Sequence, residues 1–140
     1  MRILLIPARY LPHRGGLESV VSHLAHEYQG SGHTVRIVTN RYPHKLPAHE
    51  VVDNLPVHRL HFILPERKYL KSRRLDLWLA GCWYQFAAIF QLRMIIQQFQ
   101  PDVVNNHYLN EVAELTGRCL EKHFAQIPWV ISLHGGDVDG

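Results

Sequence analysis

The stretch RILLIPARYLPHRGGLESVVSHLAHEYQGSGHTVRIVT, Arg2 to Thr39, decides the fold. Its first run, Arg2 to Ile6, is apolar and rich in branched residues, as expected of a strand buried on both faces. A loop of Pro, Arg, His and Gly follows, from Pro7 to Gly16. Leu17, Val20, Val21, Leu24, Ala25 and Tyr28 then recur at i, i+3, i+4 spacing, which gives a helix with one apolar face. Gly30 and Gly32 end that helix, since glycine adopts the positive φ of a C-cap. Thr34 to Thr39 reads as a second buried strand. Strand, helix and strand within about forty residues make a βαβ unit, parallel and right-handed in nearly all cases.

The rest of the chain continues the alternation. Val57 to Phe62 reads as an extended segment and Leu75 to about Phe99 as a long helix stopped by Pro101. Asp102 to His107 reads as a strand, Glu111 to Phe124 as a helix and Trp129 to His134 as a further strand. This order predicts an α/β fold: one Rossmann-like domain over residues 1–140, with an open, mostly parallel sheet and helices on both faces. Such sheets bind ligands at the carboxyl ends of their strands. Here those ends carry PHRGG, NRYPH, NHYLN and LHGGDV, a polar and glycine-rich edge.

Composition narrows the class. The 140 residues are 46% hydrophobic and 19% charged, which fits a globular chain and not a disordered one. A net charge of +3 tolerates phosphate groups or anionic surfaces but lacks the basic arm of a nucleic-acid binder, so no nucleic-acid partner is expected. Cys82 and Cys119 show no CxxC spacing and read as two reduced thiols. MRILLIPARY lacks the small-residue cleavage site of a secretory leader. The charge-free run from Leu77 to Leu92 is shorter than the ~18 residues of a confident membrane span. A cytoplasmic protein is expected, with peripheral contact at the inner face of the plasma membrane left open.

Four features carry chemistry. Gly15 and Gly16 open a helix, where unpaired N–H groups and the helix dipole favour an anion such as a diphosphate. A tight turn would use the same two glycines, and Glu18 suits the first helical turn in either case. The spacing matches neither GxGxxG nor GxxxxGK[ST]. In LHGGDV, His134 and Asp137 flank two glycines and could place an imidazole and a carboxylate around a hydroxyl. Eleven histidines invite a metal reading, above all His49, His58 and His61, but the spacing fits no zinc pattern and no metal is expected. Arg67, Lys68, Lys71, Arg73 and Arg74 precede a helix bearing Trp78, Trp83, Tyr84, Phe86 and Phe90. That combination suits an anionic membrane surface, or equally a solvated loop before a core-packed helix.

Together these motifs resemble family-4 glycosyltransferases. Pro12, Gly15, Gly16, Glu18, Leu24, Ala25, Gly32, His33, Val35, Val38 and Thr39 match the family's opening strand, P-x-x-GG-x-E loop, helix ending in GH and V-x-V-x-T strand. VDNLPVHRL is similar to D-G-V-x-V-x-R, with Asn54 in place of Gly. PDVVNNHY resembles P-D-V-V-H-x-H, with Asn105 replacing the first His. IPWVISLHGGDV is similar to I-P-x-V-x-T-x-H-G-x-D. The resemblance implies the N-terminal, acceptor-side half of a GT-B enzyme, which transfers a sugar from a nucleotide-sugar donor with retention and without a metal or other cofactor. It implies that Gly15 and Gly16 approach the donor diphosphate. His134 would lie near the transferred sugar, with Asp137 supporting it, and His107, Tyr108 and Glu18 would line the acceptor side. The acceptor would be a glycan or glycolipid.

No E-x7-E element occurs within the chain, since Glu114 and Glu121 are seven residues apart. The expectation is therefore one half of an enzyme, inactive alone, whose partner is a C-terminal donor-binding domain. The competing expectation is a non-catalytic module for a sugar phosphate or a partner chain, or a decayed fragment. A dinucleotide-binding Rossmann protein is disfavoured because Asn40 and Arg41 stand where an acid should follow the second strand.

Overall fold

The computed structural model describes residues 1–134. Its elements are β1 (Arg2–Pro7), α1 (Gly16–Gly30), β2 (Thr34–Asn40), β3 (His49–Val52), β4 (Leu55–Leu60), α2 (Arg67–Lys71), α3 (Leu75–Phe99), β5 (Val103–His107), α4 (Glu111–His123) and β6 (Trp129–Ser132). They form a six-stranded sheet in the order β3-β4-β2-β1-β5-β6. Every pairing is parallel except β3 with β4.

Alternation along the strands sends side chains to two cores. Ile3, Leu5, Val35, Ile37 and Val57 face α1, through Val21 and Ala25. Leu4, Ile6, Val38, Leu60 and Val104 face α3 and α4, through Leu92, Ile96, Val112 and Leu115. Helices therefore cover both faces, as the alternation of elements predicts. The apolar runs read as buried strands because neither face is solvated.

Two elements escaped the sequence reading. β3 forms a hairpin with β4 through Asp53 and Asn54, at φ 49° and 64°. Two consecutive positive φ values define a type I′ turn, where Asn tolerates what Gly usually supplies. This accounts for Asn54 in the position where the resembled motif has Gly. The short α2 follows the β4 loop and leads into α3.

Candidate functional site

The site is built at the carboxyl edge of β1 and β5. A cleft of about 450 Å³ opens there, lined by Arg9, Gly16, Glu18, Tyr108 and Asn110 among others. A second cleft, about 480 Å³, lies at the opposite edge around Arg2, Gln100 and Asp102. The carboxyl edge is the candidate, because open parallel sheets bind ligands there.

The glycine pair divides into two roles. Gly15 is the N-cap of α1 in extended backbone, at φ −134° and ψ −178°, so its need for glycine is spatial. A Cβ on Gly15 would collide with Glu18 Oε2, whereas one on Gly16 would meet nothing within 4 Å. Glu18, only 6% exposed, thus folds back over the first turn of its own helix. There the helix dipole favours its charge, and His13 Nε2 stands 3.7 Å from Oε1. The space beside Gly16 is open, and Arg9 and Glu18 line the same cleft.

The loop that presents the glycines is pinned from below. Arg59, 2% exposed, pairs with Glu50 and donates to Leu11 O at 2.7 Å and Pro47 O at 3.4 Å. Thr39 Oγ1 donates to Pro7 O at 3.0 Å and fixes the end of β1. Sequence reasoning missed Arg59 as a support of the site and Arg9 as a cation within it. The Arg of VHRL was visible as a motif letter, but nothing local shows that its guanidinium reaches a loop 48 residues earlier.

On the β5 side three rings stack. His134 lies between His107, with ring centroids 5.5 Å apart, and Tyr108, at 6.4 Å. His107 Nδ1 and His134 Nε2 are 3.3 Å apart, within hydrogen-bond distance. His107 is 3% exposed, and burial, reinforced by His134, lowers its pKa to about 4, so it is neutral at physiological pH. Its Nε2 is buried without a partner among the described residues. A bare buried acceptor costs less than an unpaired buried N–H, so the proton belongs on Nδ1, which donates to His134 Nε2. Neither His107 nor His134 lines the cleft; His134 stacks on Tyr108, which, at φ 94°, does.

Neighbouring polar groups fix this corner. Asn105 Oδ1 accepts from Ser132 Oγ at 3.0 Å, which ties β5 to β6. Asn106 Oδ1 accepts from Trp129 Nε1 at 2.8 Å. Asn110 caps α4 by accepting from Val112 N at 3.0 Å. Asp137 lies outside the described residues.

His49, His58 and His61 line a separate cleft of about 290 Å³ between β4 and α3. His49 stacks on His58 at 4.4 Å, while His61, beyond the end of β4, packs on His44 and Tyr84. Among the described residues no group of three or more His, Cys, Asp or Glu side chains is placed to hold a metal ion. Cys119 is fully buried, and burial pushes its thiol up to about 11. The basic residues from Arg67 to Arg74 lie around α2 as a separate exposed cluster; Lys68 pairs with Glu66 at 2.6 Å and Arg74 with Asp76 at 3.0 Å.

An open, mostly parallel sheet with helices on both faces and a glycine-opened helix at its carboxyl edge is a Rossmann-like α/β fold. Residues 15–140 match the glycosyl transferase 4-like domain, and the chain belongs to that family. Among solved structures, MurG of Acinetobacter baumannii is similar over 94% of this chain and 35% of its own, with 15% identity and a TM-score of 0.61. Sucrose-phosphate synthase of Thermosynechococcus elongatus is similar over 96% and 33%, with 18% identity and a TM-score of 0.55. The spinosyn rhamnosyltransferase SpnG, complexed with thymidine diphosphate, is similar over 95% and 34%, with 19% identity and a TM-score of 0.51. The chain thus spans about a third of the length of these structures. No curated protein matches it in sequence.

Proposed function

We propose that this chain is the acceptor-side domain of a retaining, nucleotide-sugar-dependent hexosyltransferase that works without a metal or other cofactor. The observation that carries the reading is the carboxyl-edge cleft, where Gly16 and Glu18 of the first helical turn, Arg9 and Tyr108 line one opening in a chain of this family. A donor diphosphate would approach the first turn of α1 beside Gly16, with Gly15 leaving room for Glu18. The helix dipole and Arg9 would stabilise the charge that develops as the nucleoside diphosphate departs.

His134, held against His107, would lie near the transferred sugar, with Asp137 supporting its loop. Glu18, His107 and Tyr108 line or underlie the acceptor side in this reading, and the acceptor is a glycan or glycolipid used in polysaccharide synthesis. The protein would work in the cytoplasm, at the inner face of the plasma membrane.

Transfer needs a second, donor-binding domain to close the cleft and exclude water. Incubating the 140-residue chain with nucleotide sugars and lipid or glycan acceptors is therefore expected to yield no product, and adding the donor-binding half restores transfer. Turnover by the chain alone would contradict the two-domain reading.

A further inference from the structure

The long helix α3 is apolar on two sides, and the described residues cover only one of them. Gly81, Ala88, Leu92, Ile95, Ile96 and Phe99 form the buried side. Leu75, Leu79, Trp83, Phe86, Phe90 and Met94 recur every three or four residues along the exposed side, with Trp83 67% and Phe86 64% exposed. A helix that is apolar all round belongs in a core or in lipid. Scattered exposed apolar residues need no explanation, but a continuous stripe marks an interaction surface.

The placement of the helix adds a second argument. At 1.5 Å per residue, the 25 residues of α3 extend about 37 Å, while a six-residue strand of this sheet extends about 20 Å. α3 ends where β5 begins, at the amino edge of the sheet. Its N-terminal half therefore projects past the carboxyl edge, the edge that carries the candidate site. Burial agrees: from Leu75 to Ala87 only Gly81 is buried, against Pro65, and every other buried residue of α3 lies from Ala88 onward.

The N-terminal end of this projecting arm is cationic. Arg67, Lys68, Lys71, Arg73 and Arg74 stand against two acids, Glu66 and Asp76, and no charged residue follows until Arg93. Arg67, Lys71 and Arg73 form no ion pair among the described residues. Cations beside exposed Trp and Phe match a bilayer surface, with phosphate headgroups above and acyl chains below. A protein partner would need an apolar groove ringed by acids. The helix is long and apolar enough to cross a bilayer, but its second half is packed on the sheet and α4, so it can only lie in the interface.

We propose that the projecting half of α3, with the cations around α2 at its N-terminal end, is a membrane-docking arm that seats the carboxyl edge of the sheet against an anionic phospholipid surface. This stands on the exposed stripe and the charge pattern, whether or not the chain transfers sugar. It is tested by co-sedimentation of the 140-residue chain with phosphatidylcholine vesicles and with mixed phosphatidylcholine–phosphatidylglycerol vesicles, together with Trp emission and the mass of the protein in solution.

The expected result is partition onto the anionic vesicles with a blue shift of emission, and little onto the neutral ones. Trp83→Ser with Phe86→Ser abolishes partition. Arg67→Gln with Lys71→Gln lowers it roughly thirtyfold, at about a kcal/mol of surface attraction per cation. All four side chains are exposed, so unchanged circular dichroism and urea midpoint show that the variants remain folded. Failure to bind anionic vesicles, or binding that survives the Trp83 and Phe86 substitutions, overturns the proposal. So does a stable dimer that those substitutions dissociate, because a second copy would then cover the stripe.

Discussion

Glu18 and Gly15 act as a unit: a nearly buried carboxylate at the start of a helix needs the volume that a Cβ one turn earlier would occupy. Gly15→Ala is expected to cost about 1–2 kcal/mol in urea unfolding, through N-cap loss and overpacking, while Gly16→Ala stays within about half a kcal/mol. In a Glu18→Ala background the cost of Gly15→Ala should fall by about 1 kcal/mol, which a double-mutant cycle measures directly. His107 gives a pH test. Its folded pKa, about 4, lies below the 6.5 of the free side chain, so the unfolded chain binds the extra proton between those values. Stability therefore contains a contribution fully present above pH 6.5 and lost as pH falls towards 4, up to about 3 kcal/mol. His107→Asn keeps a donor near Nδ1 but cannot titrate. It should flatten the stability–pH slope in that window by one proton, with the remaining slope owed in part to His58, which burial also lowers to about 4. The glycines and the histidines were legible as motif letters. That Gly15 serves Glu18, and that His107 lies under His134, depends on contacts between residues distant in sequence, which periodicity does not encode.

The elements were readable to the extent that local pattern dictates them. The βαβ start, the bounds of α3 and the strand of Val103–His107 all follow from apolar runs and from Gly and Pro punctuation, because those segments are buried on a regular period. β3 was missed because its exposed, His-containing sequence lacks an apolar run and pairs at the sheet edge through a turn whose second residue is Asn instead of Gly. α2 was missed because five charged-rich residues show no periodicity. Gly81 tests the junction of α2 and α3. A Cβ there would come within 2.8 Å of the Pro65 backbone, which cannot rotate away. The helix propensity gained in Gly81→Ala, about 1 kcal/mol, is therefore expected to be outweighed, leaving a net loss of about 1–2 kcal/mol in urea unfolding. A stabilised variant would mean that the 63–66 loop is free to move off α3.

At the scale of the whole molecule, the parallel sheet gathers residues from Arg9 to His134 on one edge, and no local window of sequence could show that convergence. The same edge receives the projecting half of α3, so the cleft and the exposed stripe share one end of the molecule. The central claim is that the carboxyl-edge cleft binds the diphosphate of a nucleotide-sugar donor, and backbone amide NMR of the 140-residue chain titrated with nucleoside diphosphates tests it most directly. Saturable shifts at Gly16, Leu17 and the backbone around Arg9, weakened by Arg9→Gln and matched by inorganic pyrophosphate, are the predicted result. Shifts confined to the Arg67–Arg74 cluster, or none at the first turn of α1, would contradict the account.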